Sequence, residues 1–397
     1  MLLNRGYLKE NIYYLSAEGY VDFDGDNEDD RYDFASQESL EDVLEELMFG
    51  DKSTQFVVYL SGHGGPESFR INPYQTLTAT YLRGYLDTIQ DKYMETNGQM
   101  IFIYDACSSG TFLPGLARTP NRTVISSAGD HPAYYFTDKN LSFSSVFWSR
   151  VYSRFSVAQS FQAGRQMMYS FQSPLLDANG DGEYDSTADP AAIQNLFIGP
   201  AGTPASDTPT IGPTIDITPG AVTSQTPDIQ VDMSADAADI TVWPVTDSDG
   251  INSVWMVVTP PCFEYGAAQN QIFDIPLRLA NPTEKAYKVS FDSFFINGDY
   301  RISIFAKDKK GFFCTEPLEI TVTKSGGSYC GIIGDLNQDK ETDLGDAIIA
   351  LKVLAGITSD DMLPDDYSRL GIDIDEDYRV GMPEVLYILQ FTAGLRE

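Results

Sequence analysis

One histidine and one cysteine in this chain each follow a short apolar run that ends in a glycine-containing segment. Residues 55–60 lead into Ser-Gly-His-Gly-Gly at 61–65, and residues 100–104 lead into Asp-Ala-Cys-Ser-Ser-Gly at 105–110. A thiol beside an imidazole forms a nucleophile–base dyad. A backbone N–H at an uncrowded glycine can bind the oxyanion that develops during acyl transfer. The residue types predict catalysis by Cys107, His63 and Gly64.

The elements that must position this dyad are two buried strands. Both apolar runs are rich in Val, Ile, Phe and Tyr and are bounded by glycine, which is typical of parallel strands buried on both faces. In open α/β sheets, reactive groups gather at the carboxyl ends of the strands. Taken singly, Cys107 suits a small buried apolar position and His63 a loop position. Their matched positions after two strands favour a dyad.

The two motifs resemble those of the caspase-like cysteine peptidases, and most of all the bacterial branch of the legumain family of asparaginyl peptidases, peptidase family C13. Supporting stretches lie at 77–79, 123–128 and 143–148, and the resemblance covers about residues 2–199. The segment around His63 is also similar to metacaspases, so the subfamily stays open. The resemblance implies that Cys107 attacks the scissile carbonyl, that His63 protonates the leaving amine and then activates water, and that the N–H groups of Gly64 and Cys107 hold the oxyanion.

The resemblance also implies cleavage after Asn or Asp. Ser126 and Ser127, after a third strand, match part of the wall of the family's substrate pocket, although ordinary loop hydroxyls would look the same. Asp105 matches the family's acidic position, and its alternative role is to cap the turn. The second histidine, His131, could line the cleft or lie on the surface.

Composition excludes several classes of protein. The 397 residues carry 58 acidic and 26 basic side chains, a net charge of −32, which argues against nucleic acid and anionic membranes as partners. The four cysteines are too few for a disulfide scaffold, and the pairing among Cys262, Cys314 and Cys330 stays open. No apolar run is long enough to span a bilayer, and no signal peptide is visible.

Domain organisation follows from the alternation of patterns along the chain. Alternating strand and helix patterns over residues 1–199 predict an α/β caspase-like three-layer domain with a parallel sheet. Residues 2–6 predict the last turn of a helix capped by Gly6, so we expect this domain to lack its first strand and the start to be incomplete. A Pro/Thr/Gly/Ser-rich linker at 200–227 precedes short β-type runs at 228–324, which predict an immunoglobulin-like β-sandwich. A hinge at 325–332 leads to a small α-helical domain at 333–397.

Acidic loops with oxygen-bearing side chains at alternate positions predict calcium as the cofactor. In the last domain two such loops each open an apolar helix, and together they resemble a dockerin, the paired EF-hand-like module that binds cohesins. Lys340 and Tyr378 replace the usual glycine at position 6 of these loops. Two further acidic loops lie in the first domain. The predicted ligands are Asp335, Asn337, Asp339, Glu341, Asp343, Asp346, Asp373, Asp375, Asp377, Arg379 (by its carbonyl), Glu384, Asp177, Asn179, Asp181, Glu183, Asp185, Asp22, Asp24 and Asp26.

Three functional hypotheses remain from the sequence. The first is a secreted or cell-surface cysteine endopeptidase with a peptide or protein substrate and a cohesin-type partner. The second is a non-catalytic surface or scaffold-attached binding protein with a relic dyad. The third is a metacaspase-like peptidase specific for Arg or Lys, or a peptide ligase in which an amine resolves the acyl-enzyme.

Overall fold

The structure, a computed structural model, describes most of the chain. The described residues are 2–22, 27–46, 52–118, 120–136, 141–204, 208–222, 229–261, 263, 272–325, 334–337, 339, 341–357, 379–393 and 395. The chain divides into two compact units. Unit 1 contains Met1–Ile211, Val245–Val254 and Phe305–Pro317, and unit 2 contains Gly212–Pro244, Trp255–Ile304 and Leu318–Glu397. The predicted domain boundaries remain predictions.

The described residues up to 204 form short helices and nine strands. The strands are β1 (Leu15–Ser16), β2 (Asp33–Phe34), β3 (Ser53–Ser61), β4 (His63–Gly65), β5 (Ser68–Asn72), β6 (Gln75–Thr78), β7 (Met94–Asp105), β8 (Arg122–Ser126) and β9 (Leu175–Asp177). The α-helices are α1 (Gln37–Glu46), α2 (Ala79–Lys92), α3 (Leu113–Leu116), α4 (Phe143–Tyr152), α5 (Val157–Met168) and α6 (Ala188–Ala192). Turns of 3-10 helix occupy Leu2–Arg5, Lys9–Asn11 and Ser109–Phe112, and Gly6 follows the first of them with φ +89°.

The sheet that carries both motifs has the strand order β3-β7-β8-β9. β7 pairs in parallel with β3 and with β8, as the apolar runs predict. β9 runs antiparallel to β8, so the prediction of a wholly parallel sheet is wrong for this strand. A three-residue run shows no direction in sequence, and antiparallel edge strands commonly close such sheets.

Burial within this sheet differs from strand to strand. The second half of β7, residues 100–105, is fully buried, as expected for a continuous apolar run covered on both faces. β3 is the edge strand among the described residues, and all of its residues are half-buried or exposed. The prediction of a strand buried on both faces is therefore wrong for β3, because an edge strand has a neighbour on one side only. Helix α2 covers β7 by burying Leu82, Leu86 and Ile89 in the same core cluster as Phe102.

The structure adds a second, small sheet that the sequence patterns do not predict. β4, β5 and β6 form an antiparallel meander. His63 therefore begins a strand and does not lie in an open loop. The turn from β4 to β5 includes Glu67, whose φ is +51°, and the Glu67 N–H donates to the Thr111 hydroxyl at 2.8 Å.

The remaining strands form one nine-stranded sheet in the order β10-β13-β16-β15-β14-β17-β18-β12-β11. They are β10 (Thr210–Thr218), β11 (Ala221–Val222), β12 (Ile229–Met233), β13 (Ala238–Thr246), β14 (Ile251–Thr259), β15 (Phe273–Asn281), β16 (Ala286–Phe291), β17 (Gly298–Asp308) and β18 (Leu318–Lys324). The predicted immunoglobulin-like class of this region stays a prediction.

After residue 334, the helices among the described residues are α7 (Leu344–Leu354) and α8 (Met382–Thr392). They bury a small apolar cluster that includes Ala347, Ala350, Val385 and Ile388. Each helix follows one of the predicted calcium loops. Among the described residues, no helix is both long enough and apolar enough to cross a bilayer.

Candidate active site

The two motif segments leave neighbouring strands at the same end of the sheet. Ser61 and Asp105, the last residues of β3 and β7, are register partners. The Gly62 N–H donates to the Asp105 carbonyl at 3.2 Å, which extends the pairing one residue beyond β3. His63 and Cys107 each lie two residues past the Ser61–Asp105 pair. The structure therefore brings the two predicted catalytic residues onto adjoining segments.

Gly64 puts the His63 segment in contact with the Cys107 backbone. A β-carbon at position 64 would overlap the Cys107 carbonyl oxygen and the Tyr104 hydroxyl, and would lie 2.9 Å from the Ala106 β-carbon. Real β-carbons essentially never approach other atoms so closely, so the position accepts only glycine without a shift of the backbone. His63 is exposed and Cys107 is half-buried, which leaves both side chains within reach of a substrate.

The Cys107 sulfur contacts a segment that comes later in the chain. The Ala133 N–H donates a hydrogen bond to Cys107 Sγ at 3.4 Å. Ser108, the residue after Cys107, has a left-handed φ of +55°, and its N–H donates to the His131 carbonyl at 2.9 Å. The His131 side chain is exposed and lies 3.3 Å from Asp130. His131 thus contacts the cysteine turn through its backbone, while its imidazole lies on the surface.

The turn after Cys107 is also anchored by close packing. The Ser109 hydroxyl donates to the Ala128 carbonyl at 3.3 Å and accepts from the Ala128 N–H at 3.1 Å. The Gly110 N–H donates to the Gly129 carbonyl at 2.9 Å. A β-carbon on Gly110 would lie 2.8 Å from the Gly129 α-carbon. These contacts hold the turn that presents the cysteine rigidly against the end of β8.

Two buried oxygen atoms beside this turn have no hydrogen-bond partner among the residues that the structure describes. One is Asp105 Oδ2, whereas Asp105 Oδ1 accepts from the Tyr135 hydroxyl at 3.0 Å. The other is the Ser127 Oγ. Tyr104 and Ser126 are register partners, so Asp105 and Ser127 follow at aligned positions, whose side chains share one face of parallel strands. An acceptor and a donor that both lack partners can bind a carboxamide group.

The two predicted pocket serines differ in how their hydroxyls are used. Both are fully buried. The Ser126 hydroxyl donates to the Ala128 carbonyl at 2.9 Å, so its hydrogen-bonding capacity serves the local turn. The Ser127 hydroxyl has no hydrogen-bond partner within the described part of the chain.

Two residues of the site were not predicted from the sequence. Burial raises the pKa of Tyr135, and the charge of Asp105 and the hydrogen bond to it raise it further. Gln172, which follows α5, donates to the Ser127 carbonyl at 2.5 Å and accepts from the Tyr134 N–H at 2.7 Å. These contacts join residues 30 to 45 positions apart, and no local pattern marks them.

Backbone N–H groups of the acidic loop at 177–185 donate to the carboxylate of Asp189, which is not one of the predicted ligands. Asp189 is fully buried, and its Oδ1 accepts from the N–H groups of the second and third loop residues at 3.0 and 3.2 Å. Its Oδ2 accepts from the N–H of Asp185, the ninth loop residue, at 2.7 Å. Asp177 is also buried, and burial raises the pKa of its carboxyl, although the N–H groups of Gly180 and Gly182 act in the opposite direction.

The loop that begins at Asp335 closes in the same way. Asp346 Oδ1 accepts from the N–H groups of the second and third loop residues at 2.8 and 3.1 Å, and Oδ2 accepts from the N–H of Asp343, the ninth, at 2.8 Å. Asp189 therefore corresponds to Asp346, with one extra residue in its loop. The side chains of Asn179, which is half-buried, and of Asn337, which is exposed, donate to the acid two residues later. Both loops offer oxygen donors, which suit calcium.

The other predicted ligands fall partly outside the described residues. Asp24, Asp26, Asp373, Asp375 and Asp377 lie outside them. Asp22 Oδ2 accepts from the Asn27 N–H at 3.0 Å. Glu384 is buried, and its Oε2 accepts from the Gly381 N–H at 2.5 Å, while Arg379 is exposed at the end of its loop. Asp181 and Glu183 are exposed in the loop that begins at Asp177, and Asp339 and Glu341 are exposed in the loop that begins at Asp335.

Comparison with known proteins identifies one family. Residues 40–163 match the Peptidase C13 family, a segment that contains both motifs, and the fold is consistent with the caspase-like fold of that family. This match implies a cysteine peptidase, a hydrolase that acts on peptides or proteins. No curated protein matches the chain. Among solved structures, the vertebrate perforin-like membrane protein astrotactin-2 aligns over 59% of this chain and 44% of its own, with 13% identity and a TM-score of 0.20, too low to indicate a shared fold.

Proposed function

We propose that this chain is a cysteine endopeptidase that cleaves after Asn or Asp through a His63–Cys107 dyad. Cys107 attacks the scissile carbonyl and forms a thioester acyl-enzyme, while His63 gives a proton to the leaving amine. A water molecule, deprotonated by His63, then hydrolyses the thioester and releases the carboxylate product. The N–H groups of Gly64 and Cys107 bind the oxyanion in both steps.

The observation that carries this proposal is the meeting of the two motif segments at the Ser61–Asp105 pair. The close contact between Gly64 and the Cys107 backbone supports it, because an oxyanion donor must lie beside the nucleophile. The hydrogen bond from the Ala133 N–H to the sulfur supports it further, since it helps to fix the position of the nucleophile.

The preference for Asn is supported by the buried oxygens of Asp105 and Ser127. A carboxamide would donate to Asp105 Oδ2 and accept from the Ser127 hydroxyl, so that both atoms gain the partners they lack. An aspartate side chain could bind there only when protonated, because an ionised carboxylate would repel Asp105. We therefore propose that cleavage after Asp is confined to acidic pH.

We also propose that calcium binds the acidic loops and that the last two helices attach the protein to a cohesin-type partner outside the cell. The exposed apolar side chains Leu344, Ile348 and Leu351 support this, since they follow one another at helical spacing on α7. Purified cohesin modules would be tested for binding with calcium and with chelator. Ile348→Asp should abolish calcium-dependent binding. Binding unaffected by this change would contradict the proposed surface.

The test of the enzymatic proposal uses fluorogenic peptides that end in Asn, Asp, Arg or Lys. Wild-type protein and the variants Cys107→Ala and Cys314→Ala would be assayed with and without calcium. We expect cleavage after Asn that is lost in Cys107→Ala and kept in Cys314→Ala, because Cys314 is a buried free thiol. Cleavage after Arg or Lys would favour a metacaspase-like enzyme. Product extended by an added amine would favour a ligase.

Thiol reactivity separates an enzyme from a binding protein. Burial raises the pKa of the Cys314 thiol to about 11, so it should resist alkylation. We expect iodoacetamide to label Cys107 much faster than Cys314, as measured by peptide mass spectrometry over time. Equal, slow labelling of both residues together with no cleavage of any peptide would favour the non-catalytic alternative.

A further inference from the structure

We propose that unit 1 holds a calcium site formed by Asp247, Asp249 and Asp308, separate from all the predicted calcium loops. Each of these residues offers one carboxylate oxygen, and the three oxygens lie within 4.8 Å of one another. Asp247 and Asp249 lie in the loop between β13 and β14, and Asp308 is the last residue of β17.

Asp308 supplies evidence for a ligand beyond the clustering of acids. Its side chain is 1% exposed. Oδ1 accepts from the Phe312 N–H at 2.8 Å, whereas Oδ2 is buried and has no hydrogen-bond partner in the described part of the chain. A buried carboxylate oxygen without a partner is costly, so such atoms are rare in folded proteins. A cation bound to Oδ2 would remove this cost.

Asp247 repeats the arrangement on the facing loop. Its Oδ1 accepts from the Asp249 N–H at 2.8 Å, and its Oδ2 is buried with no partner among the described residues. The cluster thus contains two residues, on separate loops, that each carry an orphaned oxygen. Lys310 forms an ion pair with Asp249 Oδ2, and the charge of Lys307 interacts with that of Asp308, so the three carboxylates outnumber these two cations. The cluster keeps an excess of negative charge that a divalent cation would neutralise.

The donor set favours calcium. The cluster contains carboxylate oxygens and neither histidine nor cysteine, so it suits a hard cation and not zinc. Calcium takes six to eight oxygen ligands in flexible geometry, and backbone carbonyls and water can complete the set. The two loops are already joined, because the Lys309 N–H donates to the Gly250 carbonyl at 3.1 Å. Gly250 has φ +91°, which allows its loop to turn sharply there.

A cation here would stiffen a turn that contacts α4. The turn at 309–314 follows Asp308 directly, and the Gly311 carbonyl accepts from the Ser149 hydroxyl at 3.4 Å. The Cys314 carbonyl accepts from the buried Arg150 guanidinium at 3.4 Å. All of these residues belong to unit 1. We infer that the cation stabilises this contact within unit 1.

Calcium binding to the full chain tests this site. After chelator treatment and desalting, the number of calcium ions bound per chain would be measured by isothermal titration calorimetry for wild type, Asp308→Asn and Asp232→Asn. Asp308→Asn is isosteric and keeps an oxygen to accept from Phe312. Asp232 is exposed on β12 and makes a control with the same change of charge.

We expect Asp308→Asn to bind one calcium ion fewer than wild type and Asp232→Asn to bind the same number. In chelator, Asp308→Asn should melt at or above the temperature of wild type, because it removes an uncompensated buried charge. Equal stoichiometry in wild type and Asp308→Asn, or no binding by wild type at millimolar calcium, would overturn the proposal. If Asp308→Asn does not fold, the same titration would use Asp249→Asn, which changes an exposed ligand. We expect this variant to bind calcium at one site with an affinity at least tenfold lower than that of wild type.

Discussion

Gly64 and Cys107 lie in direct backbone contact, so close that a β-carbon on residue 64 would overlap the Cys107 carbonyl oxygen. This contact joins the end of the β3 segment to the end of the β7 segment beyond their last register pair. It makes Gly64 a determinant of the geometry between the two proposed catalytic residues.

Gly64→Ala should therefore impair the enzyme. We expect kcat/KM on the best Asn peptide to fall by about 10²-fold or more, because the added methyl displaces either the oxyanion N–H or the cysteine turn. Gly84→Ala is the matched control: it lies on α2, where an added β-carbon meets nothing within 4 Å. Because glycine destabilises a helix interior relative to alanine, the control should raise the free energy of unfolding by about 0.5–1 kcal/mol. Full activity in Gly64→Ala would refute the proposed role of this contact.

Substitutions of the two serines at the end of β8 should affect substrate recognition and stability differently. Ser127→Ala removes a hydroxyl with no internal partner, so we expect little change in melting temperature and about a tenfold loss of kcat/KM on Asn peptides. Ser126→Ala removes the donor to the Ala128 carbonyl, which should cost about 1 kcal/mol of stability. Peptides ending in Asn and Arg, assayed side by side with urea unfolding, measure both effects. The reverse pattern would place Ser126 in the pocket and Ser127 outside it.

A buried guanidinium on β8 should make stability depend on Asp87 and on pH. Arg122 donates to Asp87 Oδ1 at 2.8 Å with its side chain fully buried. Burial alone would raise the pKa of Asp87, but hydrogen bonds and charges from Arg118 and Arg122 outweigh it and lower the pKa. Asp87→Asn should cost about 2 kcal/mol of unfolding free energy at pH 7, since the buried cation loses a charged partner.

The sign of the pH dependence follows from that lowered pKa. An aspartate whose pKa is lowered by folding contributes stability that is complete above its unfolded pKa of about 3.9 and is lost as pH falls through the folded value. The difference between wild type and Asp87→Asn in urea unfolding should therefore be constant from pH 7 to about pH 5 and shrink below pH 4. Asp91→Asn, which removes an exposed partner of Arg118, should change stability by less than about 0.5 kcal/mol at any pH.

Calcium should stabilise the 177–185 loop through Asp177. The raised pKa of this carboxyl means that ionising it opposes folding without a cation, and bound calcium would reverse that effect. We expect calcium to raise the melting temperature at pH 7, with a smaller rise in Asp177→Ala. The rise should also diminish as pH falls towards the raised pKa, because protonation removes the ligand. Asp42→Ala, an exposed change on α1, should keep the full rise, and equal rises in both variants would contradict a site at Asp177.

Local sequence was sufficient for the parts of the fold that depend on neighbouring residues. The run at 100–104 predicted a buried strand, and β7 is fully buried there. Leu82, Leu86 and Ile89 recur at helical spacing and form the buried face of α2, and Thr78 caps that helix by accepting from the Tyr81 N–H at 3.2 Å. These signals lie within a few residues of the structure they determine, so they can be read without a fold.

Only the tertiary structure decided which distant residues meet. The direction of β9, the Tyr135–Asp105 hydrogen bond and the small sheet that begins at His63 all depend on how remote segments pack. The cluster of Asp247, Asp249 and Asp308 joins two loops about 60 residues apart, neither of which has a calcium-loop pattern by itself. Periodicity and motif spacing describe neighbours along the chain, whereas such contacts arise from packing elements that are far apart in sequence. The sequence by itself thus determined the residue types of the candidate dyad, and the fold decided what surrounds them.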